Sequence, residues 1–228
     1  MLDSILSSPI GANLETPFIL LLLVALEAVL SADNAIALAA ISQGLPDRKM
    51  RDKALNIGLL FAYILRMSLI LTATWVIQFW QFELLGAAYL LWLVFRYFTS
   101  PADEDGEGYT AKYTSLWQVI PLIAVTDLAF SLDSVTTAIA VSDRTWLILV
   151  GGTIGVITLR FMAALFIRWL EEYDRLETAG YLTVGVVGLR LLVRAIYPQI
   201  IPPEWATIAL VAVLFAWGFS KRTATVDN

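Results

Sequence analysis

Glu27-Ala-Val-Leu-Ser31-Ala-Asp33-Asn34 lies inside an otherwise apolar run, and 100 residues later the chain repeats it as Asp127-Leu-Ala-Phe-Ser131-Leu-Asp133-Ser134. Acidic side chains in the middle of hydrophobic segments are costly at bilayer depth. They normally face a bundle interior, pair with one another and mark an ion or substrate path. The composition around the two motifs requires such a bilayer. With 59% hydrophobic residues and a mean hydropathy of +0.75 over 228 residues, the chain is too apolar for a domain solvated on all sides. A net charge of −5 with 15 scattered Lys and Arg provides no basic stripe, which sets nucleic-acid binding aside.

Hydropathy and turn residues mark seven spans, near 17–42, 54–80, 82–98, 115–140, 146–169, 178–197 and 203–219. The expected fold is an all-α membrane protein forming one transmembrane domain over residues 1–228. Its parts are a first repeat at about 17–98, a solvated and mobile loop at 99–114, a second repeat at about 115–197, and an extra C-terminal helix at about 203–219. The short acidic N-terminus and the acids in the first span argue against a cleaved leader. Beyond the motifs the displacement becomes 94: Arg66 matches Arg160, Glu83 matches Glu177, Gly86 matches Gly180 and Arg96 matches Arg190. Three helices per copy is an odd number, so the second copy enters from the opposite face and the halves form a 3+3 inverted repeat.

Basic residues fix the orientation, because Lys and Arg are retained on the cytoplasmic side. With the N-terminus outside and the C-terminus inside, Arg48, Lys49, Arg51, Lys53, Arg96, Lys112, Arg168, Arg175, Lys221 and Arg222 face inward. Only Arg144 and Arg194 then flank helices outside, while Arg66, Arg160 and Arg190 lie within helices.

The chain has no Cys and no His, which removes thiolates, imidazole bases and the softer metal ligands. Helical spacing puts Glu27, Ser31 and Asn34 on one face, and Asp127, Ser131 and Ser134 on another. Asp33 and Asp133 point roughly 120° away in an ideal helix. Either they serve a neighbouring position or the helices unwind locally. Carboxylates, a carboxamide and hydroxyls suit hard cations such as Mg²⁺, Ca²⁺ or Mn²⁺, and suit Zn²⁺ poorly. Counting Glu27, Asp33, Asp127 and Asp133 against Arg66 and Arg160 leaves −2, the charge one divalent ion neutralises. An emptied site would take up protons, since desolvation and mutual repulsion raise carboxylate pKa values.

Simpler roles compete for several residues. A buried acid and arginine can be a structural ion pair, and Ser31 and Ser131 can bond to helix carbonyls or allow close packing. Glu83 and Glu177 begin helices, where helix-end electrostatics accounts for them. Trp75, Trp80, Trp117, Trp146, Trp169 and Trp205 read as an interfacial belt, and Gly151, Gly152 and Gly155 as close helix packing.

The two motif copies resemble the paired signature motifs of the TerC family of integral membrane proteins, named for tellurite resistance, and the resemblance covers nearly the whole chain. It implies membership of a wider group of small exporters with inverted three-helix repeats, within which TerC-like proteins are associated with manganese efflux. By motif position it implies that Glu27, Asp33, Asn34, Asp127, Asp133 and Ser134 line the ion path, supported by Ser31, Ser131, Arg66 and Arg160. A tellurite oxyanion would seek positive charge, whereas the excess here is negative.

The expected function is therefore secondary export of a hard divalent cation, Mn²⁺ foremost, with proton exchange, the metal being cargo and no cofactor being bound. Without a P-loop there is no sign of ATP use. The alternative is a membrane assembly or metallation factor for other membrane or secreted proteins. An intramembrane enzyme is the weaker reading, because no nucleophile accompanies the carboxylates, and the chain is expected not to be an enzyme. Expected partners are the divalent ion and the lipid bilayer, with a homo-oligomer or a membrane-protein partner compatible with the lipid-facing surface, and no nucleic acid. The expected location is a bacterial plasma membrane, an internal photosynthetic membrane being the alternative.

Overall fold

The structure is a computed structural model that describes residues 9–99, 113–142, 144–197, 199 and 204–222; within the first helix the side chains of residues 9–15, Leu26, Val29, Leu30 and Asp33 lie outside the description. The loop expected at 99–114 falls mostly outside the described residues. Seven helices follow in order among those that are described: α1 Pro9–Gln43, α2 Arg48–Val76, α3 Trp80–Thr99, α4 Leu116–Val141, α5 Thr145–Glu172, α6 Leu176–Ile196 and α7 Glu204–Gly218. The five helices α2 to α6 are long and apolar enough to cross a membrane, while α1 and α7 contribute shorter apolar stretches.

Several helices begin earlier or end later than hydropathy alone indicates, because a helix continues through polar turns that a hydropathy window discounts. Thus α2 starts at Arg48 instead of 54, where the Asp47 carboxylate accepts a hydrogen bond from the Lys49 N–H at 3.2 Å and satisfies one of the free donors of the first turn. Likewise Ser115 caps α4 by accepting from the Trp117 N–H at 3.3 Å. Helix α1 starts at Pro9, a residue suited to a first helical position because its missing N–H is not needed there.

Short connections alternate the helices between two ends of the bundle. One end carries the C-terminus of α2, the start of α3, the end of α4, the start of α5 and the end of α6; it is called the Trp80 end below. The other carries Gln43, Arg48, Thr99, Leu116, Glu172, Leu176 and Gly218, and is called the Arg48 end. The packing is not that of sequence neighbours. The main interfaces are α1 with α5, α2 with α4, and α3 with α6, supplemented by α1 with α4, α2 with α5, α3 with α4 and α1 with α6. Exchanging α1, α2 and α3 for α4, α5 and α6 returns this same set of interfaces. Helix α7 stands apart from the exchange and packs on α6, with Phe215 stacked on Phe166 of α5 at 5.6 Å.

Glycines permit these approaches. A Cβ at Gly58 of α2 would lie 2.7 Å from Ile123 of α4, and one at Gly180 of α6 would lie 2.9 Å from Ile36 of α1. With backbones this close, dispersion contacts replace the hydrophobic drive that lipid cannot supply. Trp75, Trp80, Trp117, Trp146 and Trp205 are exposed near helix ends, as expected of an interfacial belt, whereas Trp169 packs edge-on against Phe219.

The fold predicts that Gly58→Val destabilises the bundle by about 1–3 kcal/mol through overpacking. Gly151→Ala, whose added methyl would meet only Leu23 at 3.4 Å, should be close to neutral. Thermal unfolding of the two variants in detergent checks this; equal midpoints would contradict the packing.

Candidate functional site

The polar faces of α1 and α4 turn inward: Glu27, Ser31 and Asn34, and Asp127, Ser131, Asp133 and Ser134, are all buried. Both helices run unbroken through the motifs. Local unwinding is therefore not what reorients Asp133; it serves a different neighbour from Asp127.

At the centre, Arg66 of α2 bridges the two halves. Its Nη1 donates to Glu27 Oε1 of α1, and its Nη2 donates to Asp127 Oδ1 of α4 at 3.0 Å. The guanidinium is 1% exposed, the Asp127 side chain 0% and the Glu27 side chain 10%, so the trio is almost wholly buried. Gly155 of α5 makes room for it, because the Glu27 side chain passes directly over the bare glycine backbone, and Gly152 lies against Arg66. Gly152 and Gly155, read from sequence as packing residues, therefore also make room for charged side chains, whereas Gly151 faces only Leu23. The Ser131 hydroxyl donates to the Asp127 carbonyl at 2.7 Å, which is the structural role weighed for it. Ser31 Oγ and Arg66 Nε are buried with no hydrogen-bond partner among the described residues.

A second cluster sits nearer the Trp80 end. Asp133 accepts from Arg190 Nη1 on Oδ2 and from Arg194 Nη1 on Oδ1, both at 2.8 Å. Arg194 also donates through Nε at 3.0 Å, and through Nη2, to Glu83 Oε1 of α3. Along α4, Asp133 is eight residues from the helix end and Asp127 fourteen, or about 12 and 21 Å at 1.5 Å per residue. The charged groups thus form a ladder running from the bundle end to its centre.

Two narrow crevices lie beside that ladder, though Asp133, Arg190 and Arg194 line neither. One is lined by Glu83, Phe82, Leu132, Val135 and Thr136, and the other by Glu27, Arg66, Ser134, Val135, Gly151 and Gly152. Val135 belongs to both. The inner crevice offers about 10 Å³, space for roughly one water-sized guest. Among the described residues no three carboxylates gather as a metal-binding group. Asp33, a member of the expected set, has its side chain outside the description.

Arg160 is not where the sequence placed it. Its Nε donates to Asn56 Oδ1 at 2.5 Å and its Nη2 lies 3.8 Å from Asp52, in a groove between α2 and α5 lined by Leu60, Tyr63, Ile157 and Phe161. The 94-residue match aligned it with Arg66, but periodicity does not say which flank of a helix faces the partner half. The arginines missed as site residues are Arg190 and Arg194, and with them Glu83, whose ion pair goes beyond helix-end electrostatics. One signal was available: Arg190 lies within a helix, where a charge needs a partner. Arg194 had none, since its position fits a flanking residue.

A bundle of long apolar helices with a charged, dry interior defines an integral membrane protein, and sequence comparison agrees. The profile of the integral membrane protein TerC family matches residues 13–225. The chain is 34% identical over 201 residues to the uncharacterized membrane protein YceF of Bacillus subtilis, covering 85% of this chain and 77% of that one. It is 34% identical to the uncharacterized membrane protein YkoY of the same organism, covering 78% of this chain and 60% of that longer protein. The UPF0053 inner membrane protein YgdQ of Escherichia coli is 27% identical, covering 75% and 78%. No solved structure matches. The chain belongs to the TerC family of integral membrane proteins.

Arg66→Gln would leave Glu27 and Asp127 facing each other without a counter-charge, and the expected loss of stability is about 3–5 kcal/mol. Adding Glu27→Gln to that variant should recover a large part of the loss. Thermal unfolding of the single and double variants measures the coupling; additive effects would show that the trio is not a unit.

Proposed function

We propose that this protein is a secondary transporter that exports a hard divalent cation, Mn²⁺ foremost, through the carboxylates held between its two halves. The observation that carries the reading is the bridging of Glu27 and Asp127 by one buried guanidinium. Buried acids from two repeats that meet across a dry interface have little structural advantage over apolar packing, which in many proteins is equally stable or more so. An ion path gives them a reason to be there.

The family and the bacterial membrane relatives support transport in general, and the chemistry narrows the cargo. Among the described side chains the count is Glu27, Glu83, Asp127 and Asp133 against Arg66, Arg190 and Arg194, a formal −1, and Asp33, counted from the sequence, brings it to −2. Glu83, Arg190 and Arg194 replace Arg160 in the sum first made from sequence, and the residual charge still matches one divalent cation. Oxygen ligands from Glu27, Asp33, Asn34, Asp127, Asp133 and Ser134 favour Mn²⁺, Mg²⁺ or Ca²⁺ over Zn²⁺. In this reading α1 and α7 also cross the membrane, giving seven spans with the N-terminus outside, and the set of helix interfaces preserved on exchanging the halves supports an inverted repeat. Arg48, Lys49, Arg51 and Lys53 cluster at the Arg48 end, which supports placing that end in the cytoplasm. Protons serve as counter-ions because carboxylates left without a cation in a low-dielectric site bind them.

Purified protein in proteoliposomes is expected to move Mn²⁺ more readily than Zn²⁺, and to move protons in the opposite direction. Asp127→Asn, Asp133→Asn and Asp33→Asn should each abolish flux. A preference for Zn²⁺, or unimpaired flux in all three variants, would sink the proposal. If Mn²⁺ never moves while the Asp variants impair assembly of other membrane proteins, the assembly-factor reading takes its place.

A further inference from the structure

The two ends of the bundle are not built alike. Glu83 opens α3 and Glu177 opens α6, and they match at the displacement of 94 that also relates Gly86 to Gly180. Glu83 is held by Arg194, which reaches on to Asp133. The same displacement carries Arg194 back to Ser100. The position matching Arg194 in the first repeat is therefore not an arginine, and Glu177 Oε1 is buried without a hydrogen-bond partner among the described residues. The pseudo-symmetry is broken at one position, on one side of the membrane.

We infer that Arg194 and Glu83 form a latch that seals the ion path at the Trp80 end, with no counterpart of Arg194 on Glu177 at the Arg48 end among the described residues. They are positioning residues: they act by occupying Asp133 and by joining α3, α4 and α6 beside the outer crevice, which Glu83 lines and which shares Val135 with the inner crevice at Glu27 and Arg66. Arg194 uses Nε and Nη2 on Glu83 and Nη1 on Asp133, so one side chain ties three helices. Its side chain is 13% exposed and that of Glu83 17%, which limits screening of the pair by solvent. A cation approaching Asp133 from this end must first displace a guanidinium that already supplies positive charge to both carboxylate oxygens with Arg190. From the Arg48 end the corresponding glutamate has no such arginine among the described residues.

The inference rests on the transport reading for its meaning. In the orientation proposed above, the latched end is external, so in this structure the latch closes the crevices on the outer side, while the inner half is closed by the packed core of Ile36, Leu55, Leu159 and Leu176. Opening the latch is then the step that releases the ion. The latch itself can be tested without any metal.

The chain has no cysteine, so a single introduced one is a clean reporter. Val135→Cys should be protected from a membrane-impermeant maleimide applied on the external side of oriented cells. Adding Arg194→Gln should raise its labelling rate by about tenfold or more, as expected if the latch holds an open state at that level of rarity. Glu83→Gln, which frees one leg of the latch, should give a smaller rise, and Arg194→Lys, which keeps the charge but not the fork, should restore part of the protection. Ala62→Cys, in the closed core of α2, separates opening from unfolding: its labelling should stay at background in the Arg194→Gln chain. Unchanged labelling at Val135→Cys, or equal increases at both reporters, would overturn the latch. A labelling change in a protein that moves no divalent cation would keep the latch and discard the transport reading, whereas normal flux with unchanged labelling would do the reverse.

Discussion

One guanidinium decides how the two halves of this protein meet. Arg66 leaves α2 and pairs with an acid from each motif copy, and in a medium that cannot solvate charge none of the three groups can remain ionised alone. That demand sets the packing around it. The polar faces of α1 and α4 must turn inward, α5 must present bare backbone where Glu27 crosses it, and α2 must approach α4 closely enough at Gly58 to deliver the arginine. The charges and the small residues are thus parts of one solution. Removing bulk at chosen points lets charged groups reach one another, and their pairing offsets the desolvation that burial imposes.

Charge is distributed along the axis, not gathered at one point. The central trio and the Asp133 cluster lie about 9 Å apart along α4, and each is nearly balanced by its own arginines. Under the proposed transport such a ladder suits movement better than storage: a cation held too well at any rung would not leave it, and local counter-charges keep each rung moderate. In that proposal the arginines stand in for the cation when none is bound.

Much of this was legible in the sequence because hydrophobic periodicity and duplication are properties of residue order. The helices, the paired motifs, the inward face of Glu27, Ser31 and Asn34, and the packing role of the α5 glycines all follow from spacing. What spacing could not supply was the identity of partners. Arg66 and Arg160 match by displacement, yet one enters the core and the other lies in a groove between α2 and α5 with Asn56, because helix rotation is set by contacts between helices far apart in the chain. Glu83 and Arg194 are separated by 111 residues, and each has a sufficient local explanation as a residue near a helix end. Asp133 posed a choice between unwinding and a separate neighbour, and only the continuous α4 with arginines from α6 beside it decides that choice.

The bare backbone of Gly155 beneath Glu27 ties two positions on different helices to a shared volume. The first motif carries a glutamate where the second carries the shorter aspartate, and the additional methylene is accommodated by a side chain that α5 does not have. Length at position 27 and emptiness at position 155 are therefore complementary halves of a single shape. A chain that gained bulk at one would have to give up reach at the other, so the small departure of the first motif from the second is written into a helix that belongs to neither.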